Sequence, residues 1–515
     1  MLVAPMLVAA VLEGVTVRPQ KFGAYADGVH NDTSAILQSI AHCESLGGCT
    51  LLFDKNGVFL TGPFHLPSHS TIQVDGIVRA MRISDWKISG WNNAAFIGGD
   101  ALRDVRITGA GTLDGNGEGW WNVTRDDTHY RPHLLRLNNG QGISIEGPLM
   151  FLDAANHNIM LENCTRVRVT NLNVHAPSSS PNTDGINFAG GSDQLLDGAH
   201  ISNGDDCVSI VTVPGGEGTG MGYGGNVIVR NVTCVNGHGL SIGSVRHGTV
   251  RNVTVEHIQF FRSENGARIK TYPNSTGLIA DIVYRDVSLT DVGMPILIDG
   301  SYCPKSQKPY PCPSGHVAVQ IENVVFERVQ GTSSSKTGVV GKFDCSPLSP
   351  CKGITLRDVN LTLSTGALTP RLACDFASGP VTEGVSPPSC LNLSFGIQVG
   401  AASDRDNQEA GCTGPAGCCR VGETCHSPGE SGCCQGREGC GVDKVCWCDG
   451  GADHPTCHAC GNLRAPCTGT GDCCDGYTCG GAKCCVGSGG VGCRTSADCC
   501  GDMECVRHFN AFVCR

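Results

Sequence analysis

The sequence predicts an all-β chain wound into a right-handed parallel β-helix, followed by a small disulfide-rich C-terminal region. Three observations carry this. First, short alternating runs rich in β-branched residues recur every 20 to 35 residues, each closed by Asn, Asp or Gly. Val105-Arg-Ile-Thr-Gly109, Ile143-Ser-Ile-Glu-Gly147, Val167-Arg-Val-Thr-Asn171, Val227-Ile-Val-Arg-Asn231 and Ile354-Thr-Leu-Arg-Asp358 are examples. A repeat of that length without intervening helices is the mark of a stacked solenoid, whereas a β-sandwich would place turn signals every ~8–12 residues. Second, aromatic residues are only 5% and glycines number 71, which favours tight turns over large packed helices. Third, 22 of the 33 cysteines lie between Cys412 and Cys514, so the chain changes character near residue 400.

Taken in order, residues 1–14 begin with the apolar run Leu2–Leu12, which has signal-peptide length and small residues at Ala9 and Ala10 but no positive n-region. A cleaved signal is expected there, with a first strand as the alternative. Residues 15–400 form the β-helix domain. Near its start Thr33 suits a helix N-cap, and Ile36, Leu37 and Ile40 make one apolar face that ends at Gly47-Gly48. This helix is expected to cover one end of the solenoid, where an uncapped edge would be adhesive. Residues 401–411 read as a polar linker and residues 412–515 as disulfide-stapled modules.

Composition narrows the partners. A net charge of −11 argues against a nucleic-acid partner, which needs a basic face. No other stretch has the ~18 apolar residues of a membrane span. Cysteine density and eight Asn-x-Ser/Thr sequons, at Asn31, Asn122, Asn163, Asn231, Asn252, Asn274, Asn360 and Asn392, fit an oxidising, extracellular or cell-wall setting. A secreted glycoprotein monomer is expected.

Four motifs in mid-solenoid point to chemistry: Asn182-Thr-Asp-Gly185, Gly204-Asp-Asp-Cys207, Gly237-His-Gly239 and Arg268-Ile-Lys270. Alone, each is an ordinary turn or strand face. Asp184 to Asp205 is 21 residues, Asp206 to His238 is 32, His238 to Arg268 is 30, and Lys270 to Tyr302 is 32. Each interval is one coil, so the groups should stack at the ~4.8 Å spacing of neighbouring strands. Carboxylates that close cannot all ionise freely. One raised and one ionised carboxyl suit glycosidic bond cleavage, where one protonates the leaving oxygen and another activates water. Arg268 and Lys270, at i and i+2, would face one way and pair with a sugar carboxylate, which makes a uronic acid polymer the natural substrate. A raised carboxyl predicts an acidic optimum.

With these motifs, the chain from Phe22 to about Cys390 resembles the polygalacturonases of glycoside hydrolase family 28. The matching stretches include Gly109-Ala-Gly-Thr-Leu-Asp-Gly115, Arg131-Pro-His-Leu134, Ser180-Pro-Asn-Thr-Asp-Gly-Ile186, Asn203-Gly-Asp-Asp-Cys-Val-Ser209, Gly237-His-Gly-Leu-Ser-Ile-Gly-Ser244 and Ala267-Arg-Ile-Lys-Thr271. The resemblance implies the pectin lyase-like β-helix and hydrolysis of α-1,4-galacturonosyl bonds with inversion, needing neither metal nor other cofactor. It implies Asp205 as general acid, Asp184 and Asp206 as the pair that activates water, and His238 as the group that tunes the acid. It also implies Arg268, Lys270 and Tyr302 as binders of the galacturonate beside the scissile bond, with Asn182 supporting them. Two places depart from the family pattern: Leu152-Asp-Ala-Ala-Asn-His157 lacks the usual Ser-Pro…Trp, and Tyr272 stands where Trp is frequent. Both bear on subsite preference.

The cysteines agree with this placement. Cys207 and Cys234 lie on adjacent coils and can bridge them. Cys43–Cys49, Cys303–Cys312, Cys345–Cys351 and Cys374–Cys390 are local candidates, leaving Cys164 as a core thiol. In the tail a Cys-x5-Cys-Cys pattern starts at Cys412, Cys467 and Cys493. Zinc is the rival to disulfides there, through Cys446-Trp-Cys448 and Cys457-His-Ala-Cys460. The tail is expected to bind cell-wall polysaccharide, with a protease-resistant stalk as the alternative. For the whole chain the rivals are a rhamnogalacturonan or xylogalacturonan hydrolase, a Ca²⁺-dependent pectate lyase and a non-catalytic pectin-binding protein.

Overall fold

In the computed structural model the described residues are 14–86, 95–122, 131–213, 222–304, 312, 316–366, 368–380, 384–391 and six short strands beyond residue 445. The apolar run Leu2–Leu12, the linker at 401–411 and the sequon at Asn392 lie outside them, as do the Cys-x5-Cys-Cys groups. The chain divides into two compact units, Met1–Gln398 and Val399–Arg515.

The first unit is a parallel β-helix: among the described residues, all 26 of its strands join one parallel network. The ladder that matters for function runs through eleven strands from Phe64–His65 to Arg371–Asp375. Its middle is Ile159–Glu162, Ile186–Ala189, Val208–Val211, then the first residues of Leu240–Phe261 and Asn265–Val292, then Met294–Asp299. Because side chains alternate across a strand, one set stacks inward: Leu161, Phe188, Ile210, Ile242, Ile269, Ile298 and Phe343 share one register and are all buried. The intervening set, Asn187, Ser209, Ser241 and Arg268, faces the other way. Elsewhere the core is filled by aromatic contacts such as Phe53–Phe59 and the parallel stack of Tyr284 on Phe326.

The turns explain why Asn and Asp end so many of the predicted runs. Asn171, Gly198, Asn231, His257, Asp286, Arg328 and Asp358 occupy one register position on seven successive coils, and all have positive φ. A left-handed residue at this position bends the chain on each of these coils, and a second such column runs through Arg166, Asp193, Asn226, Asn252, Asp281 and Asn323. Gly, Asn and Asp adopt this conformation at least cost.

The helix Thr33–Ser45 caps the N-terminal end, with Ile36, Ile40 and Cys43 buried. Two details differ from expectation. Thr33 is the first helical residue and Asp32 holds the cap position; the Asp32 carboxylate instead accepts from the Tyr25 and Ala26 amides, while Thr33 Oγ1 accepts from Gly62 N. Leu37 is exposed and is not part of the buried face. The bonded pairs are Cys43–Cys49, Cys207–Cys234, Cys303–Cys312, Cys345–Cys351 and Cys374–Cys390, with Cys164 a buried thiol. The seven described sequon asparagines are all exposed.

In the second unit the described strands form three antiparallel ribbons: Cys446–Cys448 with Cys457–Ala459, Thr478–Gly480 with Lys483–Cys485, and Cys505–His508 with Ala511–Cys514.

Candidate active site

The site forms on the ladder described above, where the chain enters four consecutive strands. The pairings Ile186↔Val208 and Val208↔Leu240 put Asp184, Asp206 and His238 at one register position, two residues ahead of each strand. One coil per member is what the sequence spacing implied. Arg268 does not continue that row. Ser241 pairs with Arg268, so Arg268 stands three residues deeper in the cleft and on the strand itself. The 30-residue interval from His238 exceeds the 27-residue coil because the register partner of Arg268 is Ser241 and not His238.

His238 is held between two glycines for steric reasons. A Cβ on Gly237 would lie 2.3 Å from the Asp205 carbonyl oxygen, and one on Gly239 would lie 2.1 Å from that of Asn265. Both have positive φ, so neither tolerates a side chain. The backbone His238 N donates to Asp205 O at 2.8 Å, and the Cys207–Cys234 bond ties the two coils just beneath.

Asp206 is the anchor. Its side chain is 3% exposed, and Arg268 Nη2 and Ser241 Oγ donate to Oδ1 while Lys270 Nζ donates to Oδ2 at 2.8 Å. Burial would raise its pKa, but the charges of Lys270 and Arg268 outweigh burial and bring it down to about 2. The two cations expected to meet a sugar carboxylate are thus first engaged by the protein's own aspartate. Lys270 Nζ also sits 5.1 Å from the Tyr302 ring centroid, and Tyr302 N donates to Thr271 O. The buried Tyr284 hydroxyl donates to Arg268 O at 3.1 Å, fixing that strand from below.

Asp205 turns the other way, towards His238. His238 Nδ1 lies 2.9 Å from Asp205 Oδ1, and Nε2 lies 3.2 Å from Glu264 Oε2. Burial pushes Asp205 up, and the Asp206 charge adds to this, but the hydrogen bond to His238 together with the charges of His238 and Lys270 outweighs both, and its carboxyl stands below the ordinary range. His238 is correspondingly raised, first by that same hydrogen bond. Asn182 Nδ2 is 3.4 Å from Asp205 Oδ2.

The carboxyl that is raised is Asp184. It is buried beside Asp205 and Asp206, and burial followed by those two charges lifts it well above the usual value. One raised and one ionised carboxyl therefore coexist, but the raised member is Asp184 and not Asp205, the carboxyl expected to protonate the leaving oxygen, because His238 holds Asp205 low.

Several neighbours went unnamed as site residues in the sequence. Arg131 is 3% exposed and donates to Pro181 O at 2.8 Å and to Asn182 Oδ1 at 2.6 Å, fixing the loop that carries Asn182 and Asp184. Its separation of about two coils gave no signal. Ser241 bridges Arg268 and Asp206, and Glu264 backs His238. Tyr272, the other departure, lies under the Arg246 guanidinium at 3.9 Å and beside Tyr302.

Asp205, Asp206 and His238 each bring a ligand atom within 4.8 Å of the others, close enough to hold a cation. Asp206 already carries two cationic partners, however, and a further divalent ion beside Arg268 and Lys270 would be repelled. The donor set fits protein acid–base chemistry better than a metal.

Comparison with known proteins agrees with this geometry. Residues 43–379 match the glycosyl hydrolases family 28. A probable polygalacturonase of Arabidopsis thaliana is 33% identical over 74% of this chain and 86% of its own length. The polygalacturonase of Prunus persica is 33% identical over 75% of this chain and 96% of its own. Among solved structures, an exopolygalacturonase from Thermotoga maritima superposes with a TM-score of 0.60 at 20% identity, covering 72% of this chain and 93% of that one. An endo-xylogalacturonan hydrolase from Aspergillus tubingensis gives 0.59 at 23%, covering 72% and 100%; both show the fold. Matched over residues 43–379 and aligned with relatives over most of their length, the chain belongs to the glycosyl hydrolases of family 28 and is a glycoside hydrolase.

Proposed function

We propose that the enzyme hydrolyses α-1,4-galacturonosyl bonds of de-esterified pectin, with inversion at the anomeric carbon as the family resemblance implies. The observation that carries the reading is the row of Asp184, Asp206 and His238 with Asp205 alongside, backed by a buried Arg268–Lys270 pair. Asp205 Oδ1 and His238 Nδ1 lie 2.9 Å apart, close enough to pass a proton. The proton that rests on the raised His238 moves to Asp205, which delivers it to the leaving glycosidic oxygen, so that the imidazole ends neutral and Asp205 ends as a carboxylate. Asp206, held ionised by Lys270 and Arg268, and Asp184 hold the attacking water and take up its proton. Lys270 has further N–H donors beyond the one on Asp206, and with Arg268 and Tyr302 it forms the cationic wall that receives the sugar carboxylate. Asn182, fixed by Arg131, positions Asp205.

The test is incubation with polygalacturonate in the presence of a calcium chelator, following reducing ends and the ultraviolet absorbance of unsaturated sugars. Reducing ends without that absorbance are expected. Chelator-sensitive absorbance would mean a lyase, and activity on xylogalacturonan or rhamnogalacturonan alone would move the substrate to a branched pectin.

The same reading places the protein outside the cell as a secreted monomer, with residues 1–14 a cleaved signal, residues 15–400 the catalytic domain, and residues 401–411 a linker. Residues 412–515 then act as disulfide-stapled modules that bind wall polysaccharide. What supports it is cysteine density in the sequence and bonded cysteines in the β-helix. A reporter fused to residues 412–515 that fails to be retained on cell-wall material would count against binding.

A further inference from the structure

The row that contains Asp184, Asp206 and His238 does not stop at Asp184. The pairings Leu135↔Ile159 and Ile159↔Ile186 place His157, and His133 beyond it, at the same position on the two preceding coils. His157 belongs to the segment that departs from the family pattern, so its role is not inherited from that pattern. Its Nε2 lies 3.6 Å from Asp184 Oδ1. Its Nδ1 lies 3.2 Å from Nδ2 of Asn187, a residue 2% exposed. The His133 ring packs edge-on against it, with centroids 4.7 Å apart. An amide nitrogen can only donate, so Nδ1 is the acceptor, and the neutral ring carries its proton on Nε2, facing Asp184.

We propose that His157 is a positioning residue for Asp184, pointing an N–H at its carboxylate and so orienting it towards the attacking water and favouring its ionised form. The groups around Asp184 show why such a donor is needed. Asp205 and Asp206 repel its charge, and Lys270 attracts it but is bound to Asp206. His157 approaches from the coil on the other side, with His133 behind it. This inference rests on the reading of Asp184 as a water-holding base.

The experiment is the pH dependence of kcat/KM on a defined oligogalacturonate for wild type, His157→Phe, His157→Gln and Asp184→Asn. Without the donor, Asp184 takes up a proton at higher pH. His157→Phe should therefore move the acid limb up by about half a unit to one unit, a roughly three- to tenfold loss below the limb with the plateau kept. His157→Gln, whose amide nitrogen sits near the place of Nε2, should return the limb towards wild type. An unmoved limb in a folded His157→Phe overturns the inference, as does an equal loss at every pH in both variants. Should His157→Phe not fold, Asn187→Leu frees the tautomer and should shift the limb the same way by less, and no shift there overturns it too. An active Asp184→Asn would reject the underlying assignment, and this inference with it.

Discussion

Asp184 and Asp206 stand one coil apart in a single row, yet amide substitutions at the two are expected to move stability in opposite directions. Asp206 is buried and accepts from Arg268, Lys270 and Ser241. In Asp206→Asn one of its two oxygens becomes a donor, so a buried cation is left without its anion. Breaking a buried pair in that way costs about 3–5 kcal/mol. Asp184 has the reverse surroundings, since its charge is opposed by burial and by two neighbouring carboxylates. Asp184→Asn removes the unfavourable charge and should stabilise the fold while abolishing activity. The pH dependence follows from the signs of the two shifts. Asp206 falls from 3.8 to about 2 on folding, so its contribution is complete above 3.8 and lost as pH drops towards 2. Asp184 is raised, so its penalty is absent in acid and sets in as pH rises past its unfolded value. Thermal unfolding of wild type and both variants, followed by circular dichroism from about pH 3 to about pH 8, reads this directly. Near neutrality Asp184→Asn should melt above wild type and Asp206→Asn below it, with both gaps narrowing in acid. A less stable Asp184→Asn near neutrality, or an Asp206→Asn equal to wild type, would refute the electrostatic account.

Three further expectations follow from the geometry. Gly239→Ala would drive its Cβ to 2.1 Å from Asn265 O, so His238 must shift; activity should fall by about 100-fold or more with most of the fold retained by circular dichroism, since a displacement of ~1 Å can cost that much. Arg131→Met removes both donors to the Pro181–Asn182 loop, and kcat should drop by about tenfold or more with little change in overall melting. The rate should also decline on the alkaline side only above pH 6.5, because His238 is raised from 6.5 and holds the proton that Asp205 delivers; His238→Gln should move that limb towards acid in a kcat/KM profile.

The fold was legible because a solenoid repeats its physics. Each coil needs inward β-branched residues and a left-handed turn residue, and both leave marks such as Val167-Arg-Val-Thr-Asn171 that can be counted by eye. The stacking of Asp184, Asp206 and His238 was legible for the same reason, being a matter of coil length. Three-dimensional partnership was less so. That Arg268 and Lys270 first neutralise Asp206, and that His238 and not these cations is the partner of Asp205, depends on which way two adjacent carboxylates turn, and Asp205-Asp206 as a dipeptide does not say. Arg131 reaches Asn182 across two coils, and no periodicity marks such a contact. Thr33 suited a cap by type, yet Asp32 took the position because its carboxylate also closes the preceding turn on Tyr25 and Ala26.

The most direct test of the account is the proton NMR spectrum of a polygalacturonate digest in its first minutes, before the product's anomers equilibrate. The account predicts new reducing ends that appear first as the β anomer, with no vinylic signal, and none at all from Asp205→Asn. An initial α anomer would contradict inversion, a vinylic proton would mean elimination, and an unchanged spectrum from active, folded Asp205→Asn would remove the acid on which the mechanism depends.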